Sequence, residues 1–141
     1  MGFSISAASA IIGVAVVMII EVSVGTVIPV FTDLNDSYND MRQRSFDELQ
    51  TDIVIQNITV QTHASLHDIL ISVSNSGSTV IETKYIDVLV NGTLTSFTCA
   101  DNYWFPEGTY TISLTNLTGS GNKKVKVVTE NGISDYDTYS V

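Results

Sequence analysis

One apolar run near the start of the chain, a switch to two-residue periodicity after Thr51 and turn chemistry between the alternating segments predict the fold class. It is a single N-terminal transmembrane helix followed by an all-β domain, an immunoglobulin-like β-sandwich. No charged residue occurs between Phe3 and Ile20, and apolar residues resume after Glu21 with Val22, Val24, Val27, Ile28 and Val30. That exceeds the roughly 20 apolar residues needed to cross about 30 Å of hydrocarbon. The expected organisation is a membrane helix over 3–31, a stalk over 32–50 and a β-sandwich outside the cytoplasm over 51–141. Pro29 and Thr32-Asp33 are the expected stop of the membrane helix.

A cleavable secretory signal would need a basic flank and a shorter apolar core. Nothing basic precedes Phe3, so the helix is expected to stay in the membrane uncleaved. Small residues gather at Ser4, Ser6, Ala7, Ala8, Ser9, Ala10 and Gly13, as in helices that approach one another closely in lipid. Ser6, Ala10, Gly13 and Glu21 are the candidate helix-packing positions. Glu21 is costly in hydrocarbon unless it is paired, protonated or near the headgroups. The opening from Met1 to Ser6 also has the spacing of a myristoylation site, which would add little to a chain that already spans the bilayer.

All of the 21 formal charges lie at or after Glu21, and the acids outnumber the bases by 15 to 6. A net charge of −9 argues against a nucleic-acid partner and fits a cationic partner or a salty medium. Cys99 is the single cysteine, so neither an internal disulfide nor a cysteine metal site can form. Arg42 and Arg44 by themselves would favour a cytoplasmic domain. Sequons at Asn35, Asn57, Asn91 and Asn116 favour the outside, with Asn57, Asn91 and Asn116 the candidate glycosylation sites of the domain.

Leu34, Tyr38, Met41, Phe46 and Leu49 recur with a passable helical period, so either the membrane helix continues as a stalk or a second amphipathic turn lies against the surface; the stalk is favoured, and a flexible spacer would carry more Gly, Ser or Pro. Asp52 to Val60 begins the strands. Ile69, Ile71 and Val73 alternate in the next one, which ends at Ser74-Asn75-Ser76-Gly77. Thr79 to Val90 is expected as one strand. Asn91-Gly92 turns it back through a two-residue hairpin into Thr93 to Cys99. Pro106-Glu107-Gly108 marks a corner before the strand of Tyr110, Ile112 and Leu114. Lys123 to Thr129 and Ile133 to Val141, joined at Asn131-Gly132, are the last two.

No catalytic constellation is present, so the chain is expected not to be an enzyme and to need no cofactor. His63 and His67 are four apart but lie between two expected strands, where that spacing does not build a metal site; a solvated loop is the expectation. A loop cation site using Asp101, Glu107, Asp135 or Asp137 remains an alternative. Tyr103, Trp104 and Phe105 are the candidate partner-binding residues, because aromatics beside a Pro-Gly corner often anchor interfaces. The competing reading puts Trp104 in the domain's own core.

The opening MGFSISAASAIIGVAVVMII, the strand HDILISVSNSGST, the VLVNG hairpin, the corner WFPEGTYTI and above all KVKVVTENGISDY resemble the archaellar protein F (FlaF) family of the archaeal flagellum. The resemblance implies an archaeal cell membrane location and a type IV pilin-like helix. It places the β-domain in the pseudo-periplasm, facing the S-layer. It also implies a stator role, in which the S-layer protein and the sister protein G are bound and the motor is held static while the filament turns. Membrane lipid and a homodimer complete the expected partners. A pilin-like filament subunit polymerising through the helix, with Glu21 setting register, is one alternative. A membrane-tethered carbohydrate- or cation-binding module is the other.

Overall fold

The computed structural model describes residues 2–141, with side chains from residue 4 onward. Met1 and the side chain of Phe3, which belong to the myristoylation spacing and to the start of the apolar run, lie outside the described residues. Residues 1–43 form one compact unit and residues 44–141 a second.

Helix α1 covers Gly2–Val22, a π-helical turn covers Ser23–Val27, and helix α2 covers Ile28–Gln50. The apolar run is long enough to cross a membrane. Four of its hydroxyls, those of Ser9, Ser23, Thr26 and Thr32, bond back to the helix and so disturb the apolar surface little: Ser23 Oγ donates to the Ile19 carbonyl at 2.8 Å and Thr32 Oγ1 to the Ile28 carbonyl at 3.2 Å. The expected stop at Pro29 and Thr32-Asp33 does not occur, since both lie inside α2. Proline removes an N–H and crowds the carbonyl four residues back, here that of Gly25. Gly25 lies within the π turn, where carbonyls are already out of α register, so the chain passes Pro29 without ending the helix.

The second unit is two antiparallel four-stranded sheets and a two-stranded ribbon. Its strands are β1 (Ile53–His63), β2 (Leu66–Asn75), β3 (Ile81–Glu82), β4 (Asp87–Val90), β5 (Thr93–Leu94), β6 (Thr98–Cys99), β7 (Tyr103–Trp104), β8 (Thr109–Thr118), β9 (Asn122–Val128) and β10 (Ser134–Ser140). The first sheet has the order β1-β2-β8-β6, the second β10-β9-β4-β5, and β3 pairs with β7. Alternation drives the packing. Ile69, Ile71 and Val73 of β2, Ile112 and Leu114 of β8, and Val125 and Val127 of β9 are all fully buried in one core.

Two expected strands are broken, for one reason: the chain changes sheets inside each of them. Thr79 to Val90 divides into β3 and β4 around a 3₁₀ turn at Thr83–Tyr85, where Thr83 Oγ1 donates to the Asp101 carbonyl at 2.6 Å. Thr93 to Cys99 divides into β5, paired with β4, and β6, paired with β8. The Asn91-Gly92 hairpin has both residues at positive φ, 50° and 82°, as a type I′ turn requires. The first hairpin is less orthodox. His63 pairs with Leu66 across Ala64-Ser65, with Ala64 at φ 51°. Both histidines therefore lie in strands, which corrects the solvated-loop expectation. His63 is exposed, 3.5 Å from Asp68, whereas His67 is buried, with Nε2 3.2 Å from the Tyr139 hydroxyl of the opposite sheet.

Candidate functional site

A dense hydrogen-bonded constellation within residues 44–141 lies at the end of the sandwich where the last turns of α2 enter β1. The Ser76, Gly77 and Ser78 amides all donate to this segment: Ser76 N and Gly77 N to the Asp52 carbonyl at 3.0 Å each, and Ser78 N to the Gln50 carbonyl at 2.8 Å. Ser76 Oγ adds a 2.8 Å bond to the Asp52 carboxylate. Thr51, buried between them, donates from its backbone N to the Asp47 carbonyl at 3.0 Å. Its hydroxyl lies 2.7 Å from the Thr79 hydroxyl and accepts from Asn131 Nδ2 at 2.8 Å. A helix end normally leaves carbonyls without partners, and here part of the domain supplies them. Gly77 makes the approach possible. A Cβ there would stand 2.5 Å from both the Gln50 carbonyl oxygen and the Asp52 nitrogen.

Asn75 couples this joint to the aromatic corner. Fully buried, it donates through Nδ2 to the Thr79 carbonyl at 2.8 Å and to the Trp104 carbonyl at 2.9 Å, while Oδ1 accepts from Gly77 N at 3.1 Å. Its backbone N donates to the Gly108 carbonyl and its carbonyl accepts from Glu107 N. Such a polar group is affordable in a core only because every hydrogen-bonding site of its amide is matched. The corner is a tight turn over residues 105–108, with Gly108 N donating to the Phe105 carbonyl at 3.1 Å and Glu107 at φ 63°. Tyr110 braces it, accepting from Phe105 N at 2.7 Å and stacking on Trp104 at 5.3 Å with the planes 2° apart.

The aromatic trio divides by strand alternation. Trp104 is fully buried and cannot itself touch a partner, which corrects its place among the binding candidates; Tyr103 and Phe105 flank it as exposed residues. Tyr103 pairs with Glu82, whose carboxylate lies 2.6 Å from Lys84 Nζ. That bond holds the Lys84 ammonium above its usual range. The Lys84 ammonium also lies 4.4 Å from the Tyr85 ring centroid, so Tyr85, Tyr103 and Phe105 put three exposed aromatics on and beside the β3–β7 ribbon. The sequence reading did not single out Tyr85, since nothing local shows that β3 would pair with β7.

On α1, Ala10, Gly13 and Glu21 line one shallow groove with Val14, Val17 and Met18, and Ser6 precedes them on the same helix. Asn57 is exposed, with Nδ2 3.3 Å from the Thr59 hydroxyl. The Asn91 side-chain oxygen accepts from Lys124 N at 2.9 Å, and Asn116 stands at φ 60° with its backbone N bonded to Asp68. Asp135, proposed for a loop cation, instead accepts from Ile55 N at 2.7 Å and joins the edge strands of the two sheets. Among the described residues no group of three acidic, histidine or cysteine side chains is arranged to hold a metal ion.

Helix, joint and corner together define the chain as a helix-tethered antiparallel β-sandwich. No family model matches it, and no curated protein does. Among solved structures it is similar to the archaellum periplasmic stator protein FlaG from Sulfolobus acidocaldarius. The two are 18% identical, and the match covers 63% of this chain and 99% of that one with a TM-score of 0.49.

Proposed function

We propose that this chain is a membrane-anchored stator component of the archaeal motility machinery. In this reading α1 spans the cell membrane once and the sandwich stands in the pseudo-periplasm. There it binds the S-layer protein and the sister stator protein G to hold the motor static. The motifs that resemble the archaellar protein F family, above all Lys124 to Tyr136, support the choice of system. The observation that carries the mechanical part is the joint at Gln50–Asp52. A flexible tether would dissipate load, whereas here the end of the helix is bonded to the domain through backbone carbonyls that no side-chain rotation can release. Tyr103 and Phe105, on a corner braced through Asn75 to that same joint, are the contact residues of the proposal. A single small contact would slip under load, so several copies acting together are part of it.

The test is co-sedimentation of the full chain, reconstituted in liposomes, with the organism's purified S-layer lattice. Saturable binding that Tyr103→Ala/Phe105→Ala weakens at least tenfold supports the reading. Absence of binding, with assembly of the chain into fibres, transfers the function to the helix and to a filament.

A further inference from the structure

The inward-facing positions of β9 are Lys123, Val125 and Val127, so a lysine stands where the pattern of the strand calls for an apolar residue. Lys123 is only 8% exposed. Buried ammonium groups are ordinarily matched by a carboxylate. Here, among the described residues, none is. Asp68 pairs with His63 and also accepts from Asn116 N, and Glu82 pairs with Lys84. Lys123 Nζ donates to the Thr118 carbonyl, which leaves the positive charge uncompensated. Its directly opposite residue on β10 is Tyr139, and burial pushes that phenol above its ordinary range, so it supplies no negative charge. His67, bonded to Tyr139, is held below its ordinary range first by burial and then by the Lys123 charge itself.

Lys123 also lines an open cleft between the end of β8 and the β4–β5 hairpin, with Asn91, Thr93, Thr95, Leu117 and Thr118. The Asn91 side-chain oxygen is taken by Lys124 N, so its amide NH2 is the group left for a ligand, beside the hydroxyls of Thr93 and Thr118. The 119–121 loop leaves room for the ammonium: a Cβ on Gly119, which stands at φ 88°, would come within 3.2 Å of Lys123 Nζ. We propose that this cleft is a binding site for a carboxylate group, with Lys123 as the counter-charge and Asn91, Thr93 and Thr118 as hydrogen-bonding partners. One buried cation matches one negative charge, and the donors around it suit carboxylate oxygens or the hydroxyls of a sugar acid.

The experiment is an amide NMR titration of the full chain in detergent micelles with sodium acetate or sodium glucuronate, against sodium chloride at constant ionic strength. Saturable shifts at Thr93, Thr118 and Lys123 with a carboxylate but not with chloride are expected, together with at least a tenfold weaker affinity in Lys123→Met. Glucuronate binding tenfold tighter than acetate assigns the site to an acidic sugar, and equal affinities assign it to a bare carboxylate; both support it. Carboxylates that act no differently from chloride on the unsubstituted chain overturn the proposal, whatever the folding of the variant. So does an affinity that Lys123→Met leaves unchanged.

Discussion

Gly77→Ala should cut the joint between stalk and sandwich without altering any charge. The added methyl would lie 2.5 Å from two backbone atoms, the Gln50 oxygen and the Asp52 nitrogen, and 3.0 Å from the Thr51 carbonyl carbon. Backbone cannot swing aside as a lysine tip can, so the 76–78 loop must withdraw from the helix end. Withdrawal breaks the Ser76, Gly77 and Ser78 amide bonds to Asp52 and Gln50. At about 0.5–1.5 kcal/mol net for each bond, the expected loss is about 2–4 kcal/mol. For a domain of this size that lowers the melting temperature by roughly 10–20 °C. Circular dichroism melts of the full chain in detergent measure the loss, and amide exchange at residues 76–78 localises it. Trypsin cleavage after Arg44 should also accelerate as the end of α2 frays. Gly92→Ala is the informative control: that glycine has open space around it but a φ of 82°, so its cost comes from backbone conformation and leaves exchange at 76–78 unchanged. A Gly77→Ala melt within a degree of the parent, with normal protection at 76–78, would refute the steric argument.

Stability and binding should separate at the aromatic corner. Trp104→Ala removes a fully buried indole and is expected to cost about 3–5 kcal/mol in chemical denaturation, whereas Phe105→Ala should stay within about 0.5 kcal/mol and act only on partner binding. His67 gives an acid limb to the stability curve. Its folded value lies below the 6.5 of a free histidine, so the unfolded chain takes up the proton first. Its contribution is complete above pH 6.5 and is lost as pH falls toward and through the folded value, with a slope of up to about 1.4 kcal/mol per pH unit. Urea denaturation at stepped pH should show that limb flattened in His67→Gln, and an unchanged slope would count against it.

The alternation of Ile69, Ile71 and Val73, the Asn91-Gly92 hairpin and the Pro106-Glu107-Gly108 corner could be read from the chain because each depends on neighbours in sequence. The same local logic failed where the decisive contact is remote. Nothing near Thr83 reveals that the chain must leave one sheet for the other, since the acceptor for its hydroxyl is the Asp101 carbonyl. Ala64-Ser65 carries no turn signature, so the hairpin that takes His67 into the core was read as a loop. The joint was invisible for a similar reason. Gly77 read as ordinary turn chemistry, and only the folded chain brings it against Gln50 and Asp52. Trp104 lay between two readings until the in-and-out order of Tyr103, Trp104 and Phe105 placed it inside.

The π-helical turn at Ser23–Val27 makes orientation a matter of counting. Each residue of an α-helix advances the direction of its side chain by about 100°, so one residue accommodated in a wide turn offsets everything on one side of it by about that angle. The small-residue groove of Ala10 and Gly13 and the stripe of Leu34, Tyr38 and Met41 are therefore indexed to each other by the length of the chain between them. Side-chain substitutions in that turn would leave the index untouched. Deleting a single residue there, for example Thr26, would remove the wide turn and leave the two sets at their present angle, whereas deleting one from the regular α stretch, for example Val17, would turn one set against the other by about 100°, as a gear moves by one tooth.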